Sequence, residues 1–510
     1  MKKNRIFMAL AGMVLAATLS QSCSKSFLEA QPKGSHFESN YYKNETEAFN
    51  GLIAVYDVLG WKTSNYTSKL VVANVASDDQ LAGGGGSSDL LHFQVVSNFT
   101  LTPAMGAHDG LWNGFFAGVS RANILIDKLP QANMSEQTKA RFNAEARFLR
   151  AYFYFDLVRV FKNVPLITKP LGSTEIENVE QASPEDVYAF ITKELQESLN
   201  DLPASVPKVS EAGRITKAAG YALLGKVLLY QEKFQEAAAA LAQVNGTPGQ
   251  DSPFGNALLP EYNDLWVVAN KHNKESILEI NHTNTSGGSW DCIPCTEGNL
   301  LNILSSPRSY VITKKGEAPT YISGWGFFIV TKQLAQFMKN DYRYAATVEN
   351  LDSLADAKKV TYEESYQNTG YFLKKFMGKE EDRYSGAGDP NLNFPQNTYE
   401  IRLADTYLLE AEALVRGGGS QSRAQALYDA VRSRAKMTKK PVSLNNIIDE
   451  RRLELAGEGH RFFDLVRWKL ADQYLSFKGF KANKNEIFPI PLLELNNTKL
   501  KQNIEYSGGQ

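Results

Sequence analysis

Apolar side chains recur every three or four residues along much of the chain, and several of these runs begin with a helix-capping signal. Asn44 precedes Glu47 by three residues, as in a capping box, and the apolar spacing that follows predicts one helix over about residues 45–60. A longer helical run begins at Ser135 and ends before Pro165. The hydrophobic pattern therefore predicts a mostly α fold.

Two segments contain paired helical runs that are separated by short turns. Residues 216–244 hold one such pair, and residues 407–435 repeat the layout around three consecutive glycines. Helix pairs with small residues at their crossing points are what tetratricopeptide-like repeats use to stack on one another. We therefore expect a tetratricopeptide-like helix-pair scaffold over about residues 40–245 and 398–475.

The segment between these two scaffold regions has a different composition. From residue 246 to about 397 the chain is rich in Gly, Pro, Asn, Ser and Thr, with short β-like runs such as residues 276–280 and 371–376. Long loops carried by a rigid scaffold are frequent sites of binding. This loop-rich insertion, with minor β structure, is the expected location of a ligand site.

The N-terminus has the layout of a secretory signal. Residues 1–22 combine a basic start, an apolar stretch from Ile6 to Leu19, and small or polar residues before Cys23. This junction resembles a bacterial lipobox, although Ser20 stands where Leu is usual. We expect a lipoprotein signal peptide over residues 1–22 and lipid modification at Cys23; a plainly cleaved signal is the alternative.

Charge and composition exclude several classes of protein. The chain has 55 Lys and Arg against 56 Asp and Glu, so no large field of one sign favours nucleic acid or an anionic membrane as a partner. Its 43% hydrophobic content excludes a disordered or fibrous protein. The 6 Trp, 23 Tyr and 27 Phe leave candidates for a recognition surface once the core is filled.

The remaining cysteines and the histidines carry little catalytic signal. Cys292 and Cys295 could form a local disulfide, a redox pair or two free thiols, and we favour a structural staple because no βαβ pattern surrounds them. The six histidines lack metal-ligand spacing, and the common hydrolase and phosphate-loop motifs are absent. The sequence assigns no catalytic residue, metal or cofactor, and it does not specify whether calcium helps to hold a loop.

Residues 447–468, IIDERRLELAGEGHRFFDLVRW, resemble the signature of the SusD/RagB family of lipid-anchored, surface-exposed nutrient-binding proteins of Bacteroidetes. Further family-like pieces follow in the expected order: ASDD at 76–79, AEARFLRA at 144–151, GWG at 324–326, DYR at 341–343 and IFPIP at 487–491. The resemblance spans nearly the whole chain. It implies one SusD-like domain over residues 23–510, in which the inserted loops form the ligand platform on the helical scaffold.

The resemblance also implies a function. Family members capture oligosaccharide or polysaccharide at the cell surface without catalysis, and they close as a lid over a SusC-like TonB-dependent transporter in the outer membrane. The expected protein is thus a lipid-anchored glycan-binding protein, with no nucleic-acid partner. Peptide capture, also found within the family, and a surface glycoside hydrolase are the alternatives.

A glycan site needs flat aromatic faces that pack against the C–H faces of sugar rings. The aromatic candidates lie in loop-like sequence, and for each of them packing of the loop onto the scaffold is the alternative: Trp61, Trp290, Tyr310, Tyr321 and Trp325. Trp290, beside the two cysteines, is the preferred stacking residue. Trp112, Trp266 and Trp468 follow helical or apolar runs and are assigned to the core.

Charged residues supply two further expectations. Asp78 and Asp79 precede a run of four glycines, near which family members often contact ligand; a solvated loop acid or a helix cap is the alternative. In the C-terminal motif, Asp449 with Arg452 and Arg451 with Glu454 are i,i+3 pairs on a helix. We assign this motif to structure rather than to catalysis.

Overall fold

The computed structural model describes residues 41–61, 66–384, 386–496 and 498–507. Cys23 and the expected signal peptide lie outside the described residues. The fold is mostly α-helical with short strands, which confirms the predicted fold class. Among the described residues, no helix combines the length and the apolar content that a membrane span requires.

Eighteen α-helices are numbered here in chain order within the described residues: α1 Glu45–Asp57, α2 Lys69–Val75, α3 Leu91–Ser97, α4 His108–Lys128, α5 Glu136–Phe161, α6 Ser173–Ile176, α7 Pro184–Ser198, α8 Lys217–Tyr230, α9 Phe234–Asn245, α10 Leu301–Ser305, α11 Lys332–Met338, α12 Tyr344–Thr347, α13 Leu351–Asp356, α14 Leu403–Arg416, α15 Gln421–Arg434, α16 Leu444–Leu455, α17 Arg461–Arg467 and α18 Ala471–Leu475. The strands are β1 Gln80–Gly83, β2 Val164–Pro165, β3 Gln181–Ala182, β4 Ser276–Ile280, β5 Arg308–Ile312, β6 Phe327–Val330, β7 Val348–Asn350, β8 Val360–Glu363, β9 Tyr371–Leu373 and β10 Thr398–Arg402.

The predicted helix starts are confirmed by their caps. The side chain of Asn44 accepts a hydrogen bond from the backbone N–H of Glu47 at 3.0 Å. Ser135 and Ser183 cap α5 and α7 in the same way, each accepting from a backbone N–H three residues later at 3.1 Å. These bonds satisfy donors that the first helical turn leaves free, so the capping residues fix where each helix begins.

The helices stack into one continuous scaffold although the sequence divides it. The α8–α9 and α14–α15 hairpins are the two predicted helix pairs, and α9 packs directly on α14. On the other side, α8 packs on α7, α7 on α5, and α5 on α4. The loop-rich insertion therefore leaves and re-enters the scaffold between two helices that touch.

Antiparallel strands join the insertion to the scaffold. The largest sheet has the order β1-β6-β9-β7, in which β1 comes from the N-terminal segment and the other three strands come from the insertion. Gln80 of β1 pairs with Val330 of β6, and Gly83 pairs with Phe327. A second sheet pairs β4 with β10, so that Ser276 lies opposite Arg402 at the base of the insertion.

A buried network of charges lies where the insertion meets the C-terminal helices. The Glu454 carboxylate on α16 contacts the guanidinium groups of three residues, Arg343, Arg402 and Arg434. Burial alone would raise the pKa of Glu454, but these three cations hold it well below its usual range. Glu275 adds a second carboxylate, which lies 2.9 Å from Arg402 and 2.8 Å from Arg434. The charges of this network are therefore interior and mutually compensated.

Arg451 of the same helix pairs with residues from other elements. Its guanidinium group lies 2.6 Å from Asp405 of α14 and 2.8 Å from Asp464 of α17. These partners replace Glu454, the i,i+3 partner expected from the sequence. The structural assignment of the motif stands, but the pairs link separate helices rather than turns of one helix.

Gly118 provides a test of the contact between α4 and α5. A Cβ atom at Gly118 would lie 2.3 Å from a ring carbon of Phe153, whereas a Cβ atom at Gly86 would meet no atom within 4 Å. We expect Gly118→Ala to lower the free energy of unfolding by about 1–3 kcal/mol, because the added methyl overpacks the interface. Gly86→Ala is the control and should change it by less than about 0.5 kcal/mol in the same urea titration. Equal stability of the two variants would contradict this packing.

Asp464 provides a test of the buried charges through pH. Burial would raise the pKa of its carboxyl group, but the guanidinium groups of Arg451 and Arg467 lower it to about 2. The unfolded chain takes up this proton at about pH 4, so stability present above that pH is lost as the pH falls toward about 2. Protonation of Asp464 accounts for a loss on the order of 2 kcal/mol in the free energy of unfolding.

We expect Asp464→Asn to be less stable near neutral pH, because Arg451 and Arg467 lose a buried partner, and to depend less steeply on pH between about 4 and about 2. Urea unfolding at a series of pH values measures both effects. Asp472 is exposed, so Asp472→Asn is the matched control, and the pH dependence of its stability should follow that of the unchanged protein. An unaltered acid slope in Asp464→Asn would argue against the assignment.

Candidate functional site

Three aromatic residues from separate segments meet at one place on the protein. Trp290 lies in the loop after β4, Trp325 lies just before β6, and Tyr66 lies just before α2. The indoles of Trp290 and Trp325 stack with ring centroids 5.7 Å apart and planes inclined by 29°. Tyr66 meets Trp325 edge-on at 5.5 Å. Trp290 remains 43% exposed, so the cluster presents an aromatic face to solvent.

Backbone hydrogen bonds fix the segment that carries Trp325. Its N–H donates to the carbonyl of Ile303 at 2.9 Å, and the N–H of Gly326 donates to Ser306 at 2.8 Å. A Cβ atom at Gly324 would lie 2.4 Å from the Ile303 carbonyl oxygen, and Gly326 has a φ of +67°. Glycine is thus required at 324 by the close approach of the Ile303 backbone, and at 326 by the left-handed backbone conformation.

The loop that carries Trp290 is held from the opposite side by a second loop. The indole N–H of Trp290 donates to the Asp389 carboxylate. Asn393 is fully buried; its side chain accepts from the Ser286 hydroxyl at 2.9 Å and donates to the carbonyl oxygens of Gly288 at 3.0 Å and Asp389 at 2.7 Å. One amide side chain therefore joins the two loops.

Cys292 and Cys295 form a disulfide, with Cα atoms 5.3 Å apart. The bond closes a turn that begins two residues after Trp290, so it restricts the loop that carries the indole. Among the described residues, no three His, Cys, Asp or Glu side chains converge to hold a metal ion.

Arg308 brings a polar group to the segment beside Trp325. The glycine-rich turn runs alongside this segment, because the N–H of Gly84 donates to the Gly326 carbonyl at 2.8 Å. The Arg308 side chain lies against Gly85 and Gly326, and its Nε has a long contact of 3.6 Å with Glu363. The edge of the site therefore carries a cation whose hydrogen-bonding capacity is only partly used.

Asp78 and Asp79 lie in the interior, 4% and 1% exposed. Arg452 contacts both carboxylates, at 2.9 Å and 2.7 Å, and Arg461 contacts Asp78 at 2.8 Å. Arg452 thus has these partners rather than Asp449, which the sequence suggested. The two acids connect the N-terminal segment to the C-terminal motif, and neither the ligand contact nor the solvated loop acid expected from the sequence matches their burial.

Lys478 further ties this segment to the interior. Its ammonium group donates to the carbonyl oxygens of Ser77 and Gln80, each at 2.9 Å, and also to that of Val75. Burial lowers the pKa of Lys478 to about 7, although Asp78 favours the charged form. The buried Lys478 side chain, which donates to three carbonyl oxygens, fixes the start of β1. This strand in turn pairs with β6 beside Trp325.

Tyr310 and Tyr321 are buried, at 6% and 3% exposure, and they pack edge to face against each other. Their hydroxyl groups donate to the carbonyl of Pro319 and to the carboxylate of Glu349. Both residues pack their loops onto the interior of the protein, which is the alternative given for them above. Neither belongs to the site.

Trp61 is half-buried against the main core, and the guanidinium group of Arg121 lies 5.0 Å from its ring centroid. The structure does not bring Trp61 into contact with the Trp290 and Trp325 pair. The core assignments hold for Trp112, which is buried, and for Trp266, which is partly buried against the core. Trp468 is partly buried, and its indole N–H donates to Glu412 at 2.9 Å.

Sequence reasoning missed three residues of the cluster. Tyr66, Asp389 and Asn393 lie far from Trp290 along the chain, and nothing local marks them as its neighbours. Asp389 and Asn393 fall in a stretch whose Gly, Asp, Pro and Asn content indicates only turns. Spatial contact alone identifies them.

Two family profiles match the chain. One, described as the SusD family, covers residues 336–486; the other, described as starch-binding and associating with the outer membrane, covers residues 42–229. A SusD-like protein of Bacteroides ovatus is 28% identical over 93% of this chain and 85% of its own length. The starch-binding protein SusD of Bacteroides thetaiotaomicron is 24% identical over 76% of each chain.

Solved structures give the same family, one of them with higher identity. A laminarin-binding SusD-like protein is 49% identical, superposes with a TM-score of 0.88, and matches 91% of this chain and 100% of its own. A surface glycan-binding protein A from Bacteroides thetaiotaomicron, in complex with laminarihexaose, is 27% identical with a TM-score of 0.80, over 90% of this chain and all of its own. The resemblance inferred from residues 447–468 is confirmed, and the chain belongs to the SusD family.

Proposed function

We propose that this protein binds a laminarin-type glycan at the cell surface and delivers it to a SusC-like TonB-dependent transporter in the outer membrane. The observation that carries the proposal is the exposed face of Trp290, held by Trp325 and Asp389, on a chain that shares 49% identity with a laminarin-binding protein. Of the ligand-binding residues predicted from the sequence, Trp290 and Trp325 are the two that belong to the proposed site.

The chemistry of the cluster suits an uncharged, hydrated ligand. An indole face offers apolar area to the C–H face of a sugar ring, and neighbouring polar groups can read its hydroxyls. Asp389 supplies acceptors and Arg308 supplies donors near the indole pair. The balance of 55 basic against 56 acidic residues gives no charge preference, which favours stacking over ion pairing as the source of affinity.

Binding without catalysis is the proposed role. A retaining glycosidase needs two carboxyl groups about 5 Å apart at the ligand, one of them a free nucleophile. Asp78 and Asp79, the acids that the sequence brought forward, are instead buried against Arg452 and Arg461. The related proteins described above are named as binding proteins, which supports the same role.

Membrane attachment and the transporter complete the proposal. The lipobox-like junction before Cys23 supports a lipid anchor, and the family profile over residues 42–229 is described as associating with the outer membrane. A diacylated N-terminal cysteine would hold the glycan site at the cell surface.

Isothermal titration calorimetry against laminarin, laminarihexaose, amylose, xylan and a mixed peptide pool tests the ligand class. We expect laminarin and laminarihexaose to bind, and Trp290→Ala to weaken binding at least about tenfold, as truncation of a central aromatic contact does in other interfaces. Phe477→Ala is the control, because Phe477 is an exposed aromatic residue in the C-terminal segment. Binding of peptides alone, or of no glycan, would refute the proposal.

Metabolic labelling with palmitate tests the anchor and the partner together. The tagged full-length chain should incorporate label and co-purify with a SusC-like transporter from solubilised membranes of its native host. Cys23→Ser should lose the label and leave the membrane fraction, because the acylated sulfur is absent. Persistent label in Cys23→Ser, or recovery of the unchanged protein without a transporter, would count against this part of the proposal.

A further inference from the structure

We propose that the ligand stacks on the outer face of Trp290 alone, and that Trp325 is a positioning residue that holds Trp290 rather than a residue that touches sugar. This inference rests on the proposed glycan-binding function and refines it. It assigns separate roles to two tryptophans, of which the sequence already favours Trp290 as the stacking residue.

The Trp290 indole is more exposed than the Trp325 indole, as the two proposed roles require. Trp290 is the most exposed of the six tryptophans, whereas Trp325 is partly buried and packs against the main core. Trp290 covers one face of Trp325, and Tyr66 closes on Trp325 with its ring inclined by 64°. The uncovered aromatic area of the cluster therefore belongs mainly to Trp290.

The gap between the indoles is too narrow to hold a sugar ring. Carbon atoms in contact lie about 3.5–4.0 Å apart, so a ring held between two aromatic planes needs about 7–8 Å between them. The Trp290 and Trp325 centroids are only 5.7 Å apart. A ligand that touched the inner face of either indole would first have to break their stack.

Three contacts hold the loop that carries Trp290. The indole N–H of Trp290 is bonded to Asp389, its loop is joined to the Asp389 loop by the buried side chain of Asn393, and the disulfide restricts the residues that follow. Trp325 is fixed by the backbone bonds on either side of it. Trp290 is therefore held before ligand arrives, which lowers the entropy lost on binding.

One free aromatic face has a consequence for the ligand. A sugar ring lies against Trp290 from one side, and its other face remains in solvent or meets a partner. The site then suits an extended glycan that passes across the loop surface, and it does not enclose a chain end.

The test uses Trp325→Phe, which keeps a flat ring, and Trp325→Leu, which keeps bulk but loses the flat face. By calorimetry with laminarihexaose, we expect Trp325→Phe to bind within about twofold of the unchanged protein and Trp325→Leu to bind about two- to tenfold more weakly. Equal affinity in Trp325→Leu would overturn the positioning role. Rescue by Phe separates support of Trp290 from a general loss of folding.

A spectroscopic signature locates the ligand. Two stacked indoles give an exciton couplet in circular dichroism, obtained here as the spectrum of the unchanged protein minus that of Trp325→Phe. We expect this couplet to persist at saturating laminarihexaose, because the stack stays intact beneath the sugar. Binding accompanied by loss of the couplet would overturn this inference while leaving the proposed function in place. Failure of the unchanged protein to bind any glycan would instead remove the proposed function and the inference with it.

Discussion

The buried carboxylate of Glu454 is the interaction on which the arrangement of this protein depends. The cations around it come from three places: Arg343 from the insertion, Arg402 from β10 and Arg434 from α15. Buried charges are tolerated only when they are fully compensated, and removal of one partner typically costs about 3–5 kcal/mol. The insertion and the scaffold must therefore meet in one relative position. The signature motif that identifies the family is a structural junction, remote in role from the ligand.

The sequence predicted the parts of the fold that local physics determines. Asn44, Ser135 and Ser183 mark helix starts because each capping hydrogen bond spans only three residues. Apolar periodicity indicates which face of a helix is buried. The pairing of β1 with β6 and the true partners of Arg451 and Arg452 were beyond such reasoning. Those contacts join residues of different elements, from 13 positions apart for Arg451 and Asp464 to 373 for Arg452 and Asp79, so the i,i+3 rule supplied the nearest partners instead of the correct ones.

The candidate site shows the same division. Loop context selected Trp290 and Trp325, with Trp290 preferred, but it also selected Tyr310 and Tyr321, and these are buried. Composition reports that an aromatic residue lies in a loop; it carries no information on whether that loop faces outward. The adjacent glycine run made Asp78 and Asp79 resemble part of a flexible ligand site, whereas Arg452 and Arg461 hold them in the interior.

The pairing of β4 with β10 has a bearing on how such proteins diversify. Because Ile280 lies opposite Thr398, the two ends of the intervening chain emerge side by side from one small sheet. Closing a longer or shorter loop between neighbouring ends costs little, since the entropy of closure grows only with the logarithm of loop length. Selection can thus lengthen, shorten or rewrite these loops for a new sugar while α9 stays packed on α14. The charges that reach back to the junction, such as Arg343, and the pairing of β6 with β1 restrict what can be exchanged.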